Sequence, residues 1–185
     1  MLRGIDVSAY QSDAYDTDGL SFVFIKATEG RSYTNPKLSA QTERGRDAGL
    51  VVGFYHFLWP GNLTAQAEYF VAKAPDRAGD ILAVDWERTG DGGYASNAEK
   101  DRFIKKLKAL RPDHRIILYC NRDFWLNVDT TSYAGDALWI ADYVTAGKPR
   151  IKATWRFHQY TSEPLDKNVA DFESRAALKK WAQKD

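Results

Sequence analysis

Ile81-Leu82-Ala83-Val84-Asp85-Trp86-Glu87 opens as an apolar run of buried-strand length and closes in two carboxylates with a tryptophan between them. Successive strand side chains point to opposite faces, so Ala83, Asp85 and Glu87 share one face and Leu82, Val84 and Trp86 the other. At a rise of roughly 3.3 Å per residue, the Asp85 and Glu87 Cα atoms lie about 6.6 Å apart. Two acids side by side at the end of a buried strand are costly to ionise together, so their pKa values should separate. One could then donate a proton while the other stays anionic. A strand running into a solvated acidic loop gives the same letters, so the rest of the chain has to decide.

Outward from this stretch the chain alternates. Strands are expected at Leu2–Val7, Phe22–Ile25, Val51–Phe57, Ile81–Glu87, Arg115–Tyr119, Ala137–Ala141 and Thr154–Tyr160, with a weaker extended stretch around Lys167–Phe172. Between them lie helices with readable ends. Asn35-Pro36 opens one, with Asn as cap and Pro in the first turn, and Gly49 closes it. Thr64 begins a second, with Ala67, Phe70, Val71 and Ala74 on one face. Ser96 and Glu99 form a capping box ahead of a stripe of Phe103, Ile104, Leu107 and Leu110. Ser174–Gln183 is the last, with Ala177, Leu178 and Trp181 inward. Near-continuous apolar strands alternating with helices imply a parallel α/β sheet. About eight strands suggest closure into a TIM-like barrel with fewer helices than the full eightfold form; an open doubly wound sheet is the alternative.

The 185 residues, 44% hydrophobic and 28% charged, suffice for one domain spanning residues 1–185, with no repeat and no linker to divide it. A net charge of +1 gives no electrostatic footprint for nucleic acid or an anionic membrane, and no apolar run has the length of a membrane span. Cys120 is the only cysteine, so no intrachain disulfide can form, and its apolar neighbours suggest an inert buried thiol. The three histidines and the absence of H-E-x-x-H argue against zinc, and no G-x-S-x-G elbow supports a serine hydrolase. Gly90-Asp91-Gly92-Gly93 lacks the spacing of a phosphate loop, so neither a metal nor an organic cofactor is expected.

Polar and aromatic residues gather at the strand C-termini, where sites sit in parallel α/β folds. Asp6 ends the first strand and Glu29 follows the second; Tyr55, His56 and Phe57 end the third, and Asp85 and Glu87 the fourth. Tyr119 and Asn121, then Trp139 and Asp142, then Gln159 and Tyr160 follow on the next three. Glu29 reads as an ion-pair partner of Lys26 or Arg31, and His56 as a hydrogen-bonded core residue. What is left is carboxylate chemistry lined with aromatics, the pattern expected of glycoside cleavage.

Several blocks carry a resemblance. Gly4-Ile5-Asp6-Val7-Ser8 with Gln11, Phe24-Ile25-Lys26-Ala27-Thr28-Glu29-Gly30, Gly53-Phe54-Tyr55-His56-Phe57, Asp85-Trp86-Glu87, Leu138-Trp139-Ile140-Ala141 and Gln159-Tyr160-Thr161 resemble, in order and spacing, family 25 glycoside hydrolases, the Chalaropsis-type lysozymes. The resemblance implies a modified barrel of eight strands and about five helices. It further implies cleavage of the β-1,4 bond between N-acetylmuramic acid and N-acetylglucosamine, in bacterial peptidoglycan glycan strands. By position, Glu87 corresponds to the general acid/base, Asp85 to its acidic partner, and Asp6 to a third active-site carboxylate. Asp166, in Asp166-Lys167-Asn168, fits a fourth, with Asp171 the second choice. Tyr55, Tyr119, Trp139, Gln159 and Tyr160 are the expected substrate contacts. Two departures from the family pattern are His158 in place of a tryptophan and a short segment containing Glu163-Pro164.

Two rivals stand beside this. A chitinase-like family 18 glycosidase needs an acid where the chain has Ala83, and a silent wall-binding barrel has no need for Asp6, Asp85 and Glu87 together. The chain is expected to act as a monomer without nucleic-acid or membrane partners. With no h-region after Met1, a phage lysin held in the host cytoplasm before lysis is one expectation, a secreted enzyme the other.

Overall fold

The computed structural model describes residues 1–184. Nine strands run β1 (Leu2–Val7), β2 (Phe22–Glu29), β3 (Tyr33–Thr34), β4 (Val51–Phe57), β5 (Ile81–Asp85), β6 (Arg115–Asn121), β7 (Ala137–Ala141), β8 (Phe157–Thr161) and β9 (Lys167–Ala170). Four α-helices are interleaved: α1 (Leu38–Asp47), α2 (Leu63–Lys73), α3 (Asn97–Leu110) and α4 (Arg175–Gln183), with a π-helical turn at Phe124–Val128. The strand order β1-β9-β8-β7-β6-β5-β4-β2 closes through a β1–β2 pairing, and β3 is a two-residue hairpin partner appended to β2. The result is a closed eight-strand barrel, the TIM-like α/β architecture. Its neighbours are parallel except β9, which runs antiparallel to both β8 and β1.

Period-two alternation sorts the side chains into two cores. One face of each strand packs beneath the helices, where Leu82, Val84 and Trp86 meet Phe70, Phe103 and Leu107. The other face fills the barrel with Phe22, Phe24, Ile81, Ala83, Trp139 and Phe157. The aromatic rings fit because Gly4 and Gly53 leave them room: a Cβ at either would collide with the ring of Phe22 or Phe24. Leu178 and Ala182 of α4 join this interior cluster, and the Arg115 side chain at the start of β6 donates to the Trp181 carbonyl at 2.8 Å. Helix α4 therefore stoppers the end where the parallel strands begin, and the opposite end is the open mouth.

Local signals set most boundaries. The Ser96–Glu99 capping box forms as the spacing predicts, and Ser174 caps α4 through Ala177 N–H. Gly49 adopts φ +72° just past α1, where a side chain would be strained. Asn35 meets its expectation in part. Its Oδ1 accepts the Lys37 N–H at 2.9 Å, but α1 starts only at Leu38, and the buried side chain also ties β2 to α1 by donating to the Lys26 carbonyl and the Gln41 side chain at 2.9 Å each. Leu110 is exposed at the end of α3 rather than part of its stripe, and β5 ends at Asp85, two residues earlier than the apolar pattern suggested.

Candidate active site

Asp85 is the last residue of β5, in register with Phe57 of β4 and Tyr119 of β6, which places it at the centre of the mouth. The next residue still follows the ladder: Trp86 N–H donates to the Tyr119 carbonyl at 2.9 Å. Its indole, fully buried on the helix side, donates to the Ala95 carbonyl at 2.7 Å and lies 5.2 Å from the Lys100 ammonium. Trp86 thus clamps the chain on one face while its two acidic neighbours turn to the other. Lys100 is itself fully buried, with its charge met by Asp129 at 2.8 Å and the Tyr133 carbonyl at 2.9 Å.

The Asp85 carboxyl is buried, and its Oδ1 has no hydrogen-bond partner in the protein. Burial pushes its pKa well above the usual carboxylate range, the charge of Glu87 pushes it further, and Lys26 pulls weakly the other way. Glu87 acts on Asp85 both through its charge and as a hydrogen-bonding neighbour, and both effects favour the protonated form of Asp85. Glu87 is half-buried and faces both the cavity and the hollow beside it.

A second acid pair faces them. Asp6 ends β1's inward face, and its Oδ2 accepts from Asn168 Nδ2 at 2.8 Å and Gln159 Nε2 at 2.9 Å. Its backbone N–H donates to the Asp166 carbonyl at 3.2 Å. Burial, then the adjacent Asp166 carboxyl, raises the Asp6 pKa against the lowering effect of the two amides. The amides are fixed in turn: Trp139 Nε1 donates to Asn168 Oδ1 at 2.7 Å, and the Tyr119 and Tyr143 hydroxyls donate to Gln159 Oε1 at 2.7 and 3.0 Å. Tyr55 donates to the Val7 carbonyl at 3.2 Å.

Together these groups line a cavity of about 160 Å³ that includes Asp6, Tyr55, Asp85, Glu87, Tyr119, Trp139, Gln159 and Asp166. Trp139 is only 2% exposed, so it forms the floor rather than an open stacking face. Two sequence-based expectations do not meet there. Tyr160 lies on the other face of β8, with its ring 6.3 Å from that of His158, because Phe157 and Gln159 take the inward positions. Asp171 follows β9, where its N–H donates to the Arg156 carbonyl and its carbonyl accepts from Arg156 Nη1, away from the cavity, so Asp166 is the acid beside Asp6.

Phe57, expected at the end of its strand, lines the cavity, and Lys26, Ser8 and Asn168, which the sequence did not mark as site residues, belong to the cavity or its support. Lys26 was within reach, since Phe22, Phe24 and Lys26 share a strand face by parity. Its ammonium pairs with Glu29 at 2.7 Å. His56 is a strut: Thr28 Oγ1 is 2.7 Å from its Nδ1 and Gln66 Oε1 is 2.9 Å from its Nε2. Gln66 uses its amide hydrogens on the Trp59 and Gly61 carbonyls, so its oxygen must accept and the ring is the neutral Nε2–H tautomer. Burial holds its pKa down at about 4. His158, where the family pattern has tryptophan, accepts from Gly147 N–H at 3.0 Å and donates to the Asp142 carbonyl at 2.7 Å, bracing the β7–β8 connection. Cys120 is buried, and that burial raises its thiol pKa.

Fold and cavity together define a carboxylate-armed β/α barrel, with two acid pairs meeting at the strand C-termini. The chain belongs to the family described as Glycosyl hydrolases family 25, whose sequence pattern matches residues 5–169. It is 33% identical over 153 residues to the N,O-diacetylmuramidase of Chalaropsis sp, covering 72% of each chain. It is 30% identical over 184 residues to Lysozyme M1 of Streptomyces globisporus, covering 87% of this chain and 62% of that one. The chain thus spans less than two thirds of that relative's length. The bacterial lysozyme from Streptomyces coelicolor superposes with a TM-score of 0.83 at 28% identity, covering 98% of this chain and 97% of that one. No helix of the described residues is long and apolar enough to cross a membrane.

Proposed function

We propose that the chain is a lysozyme: one catalytic domain that hydrolyses the β-1,4 bond between N-acetylmuramic acid and N-acetylglucosamine in bacterial peptidoglycan, with net retention. The observation that carries this is the Asp85–Glu87 pair, a buried acid whose pKa is raised beside a half-buried acid that lines the cavity at the barrel mouth. Glu87 is the group a glycosidic oxygen can reach. With substrate bound, Glu87 acts as the general acid and delivers a proton to that oxygen as the bond to the anomeric carbon breaks. Asp85, left anionic, meets the positive charge growing on the sugar. It either bonds to the anomeric carbon or steadies the ring formed when the substrate's own 2-acetamido oxygen attacks. Glu87, now a carboxylate, takes a proton from the incoming water, and the second attack restores the original configuration.

Asp6 serves as a positioning acid. Its amide partners Gln159 and Asn168 pass rigidity from Tyr119 and Trp139 into the cavity, and its negative charge raises the cost of ionising Asp85. Tyr55, Tyr119 and Gln159 provide the substrate-facing polar edge. The site of action is the bacterial cell wall, reached either as a phage lysin or as a secreted enzyme, and the working unit is the monomer. Glu87→Gln, which keeps the shape and removes the transferable proton, should lower turnover of purified peptidoglycan by roughly 10²–10⁴-fold while the protein stays folded. A variant rate near that of the parent removes Glu87 from the donor role.

A further inference from the structure

Beside the catalytic cavity, and sharing Glu87 and Tyr119 with it, lies a second hollow of about 430 Å³. Two guanidinium groups stand on its wall. Arg150 is neutralised by Asp142, whose Oδ1 is 2.7 Å from Nη2 and whose Oδ2 is 3.1 Å from Nε. Asp142 stays firmly anionic, because these hydrogen bonds from Arg150 hold its pKa below the usual range. Arg122, the first residue after β6, is held differently: its Nε donates to the Arg150 carbonyl at 2.9 Å. Among the described residues no carboxylate forms an ion pair with Arg122, and its two terminal nitrogens donate to no protein acceptor. Asp123, also on this wall, turns one carboxylate oxygen to the Asn127 amide at 2.7 Å.

A guanidinium anchored through Nε, with both terminal nitrogens free, is preorganised for bidentate capture of a carboxylate. The neighbouring field decides where such a carboxylate can sit. Four acids line the catalytic cavity, and its one lining cation, Lys26, is already paired with Glu29. A carboxylate entering there finds four acidic side chains and no unpaired cation, whereas in the adjoining hollow, lined by Glu87, Asp123 and Asp142 as well as the two arginines, Arg122 keeps both terminal nitrogens without a protein acceptor. A glycan containing muramic acid carries such a substituent: the 3-O-lactyl carboxylate or, where that is amide-linked, the carboxylates of the attached peptide.

We infer that the hollow beside Glu87 is a subsite for the carboxylate-bearing branch of the glycan, with the Arg122 guanidinium as its ligand. This rests on the lysozyme reading above and adds a specificity determinant to it. The test compares kcat/KM of the parent, Arg122→Gln and Arg122→Lys on three substrates. These are intact peptidoglycan, peptide-free glycan with free lactyl carboxylates, and the same glycan with those carboxylates converted to N-methylamides. Loss of one charge-assisted bidentate contact should cost Arg122→Gln about tenfold or more on a carboxylate-bearing substrate relative to the amide. That differential on the peptide-free glycan assigns the lactyl carboxylate; on intact peptidoglycan alone, it assigns the peptide. Arg122→Lys keeps the charge without the fork and should recover part of it, and it carries the comparison if the Gln variant melts early. Equal loss on all three substrates, or none, overturns the subsite and leaves the lysozyme reading standing. Failure of the parent to cleave any of the three overturns both.

Discussion

Asp85→Asn should make the protein more stable while it destroys activity, and the gain should depend on pH. In the native state Asp85 is desolvated, its Oδ1 lacks a partner, and Glu87 lies within hydrogen-bonding range. The folded pKa is raised above the ordinary value of 3.8, so the linkage runs in one direction. Below about pH 4 both the folded and unfolded carboxyls hold a proton and burial adds no ionisation cost. As pH climbs past the unfolded pKa, only the unfolded chain ionises freely, and stability falls until the folded pKa is passed. An asparagine never ionises, and its amide can donate to the neighbouring Glu87 carboxyl. Relief of one buried unsatisfied polar atom is worth roughly 1–3 kcal/mol. In a chain of this size each kcal/mol moves the melting temperature by about 2–4 °C. Urea unfolding of parent and variant at pH 7 and at pH 4 measures this directly. The variant should be the more stable at pH 7, with the margin shrinking at pH 4, and peptidoglycan turnover should be lost throughout. A variant less stable than the parent at pH 7, or a margin independent of pH, refutes the reasoning.

Two further outcomes follow from buried groups outside the cavity. His56, folded pKa about 4 against 6.5 for a free side chain, refuses a proton that the unfolded chain accepts, so its contribution is full above pH 6.5 and lost as pH falls toward 4. At about 1.4 kcal/mol per pH unit the loss comes to about 3 kcal/mol, and His56→Gln should unfold with a correspondingly shallower pH slope; parallel slopes contradict it. Lys100→Met strips Asp129 of its ammonium in the interior and should cost about 3–5 kcal/mol in urea unfolding, whereas a loss under about 1 kcal/mol means the ion pair was never needed.

Most of the barrel was legible because its strands are buried on both faces and so read as apolar runs, Phe22–Ile25 and Ile81–Val84 most plainly. The reversal of β9 was not legible. Its residues Lys167–Ala170 alternate like any short strand, and direction is fixed only by pairing between β8 and β1. Asn35 has the letter of a helix cap and its Oδ1 accepts the Lys37 N–H, but its amide nitrogen also serves a buried contact between β2 and α1, a tertiary demand that local propensity does not record. In the candidate site, Asp6, Asp85 and Glu87 could be placed because strand ends converge in a barrel. Tyr160 was expected there against parity: once Gln159 faces inward, its neighbour must face outward. Lys26 was within reach of the same rule. The Arg122–Arg150 pairing joins the helical turn after β6 to a loop 28 residues on through one backbone carbonyl, and nothing local announces it.

The proposed cleavage after N-acetylmuramic acid is tested most directly by mass analysis of borohydride-reduced fragments after the protein digests purified peptidoglycan. Reduced N-acetylmuramic acid ends are the predicted result. Reduced N-acetylglucosamine ends, or an undigested wall, contradict it.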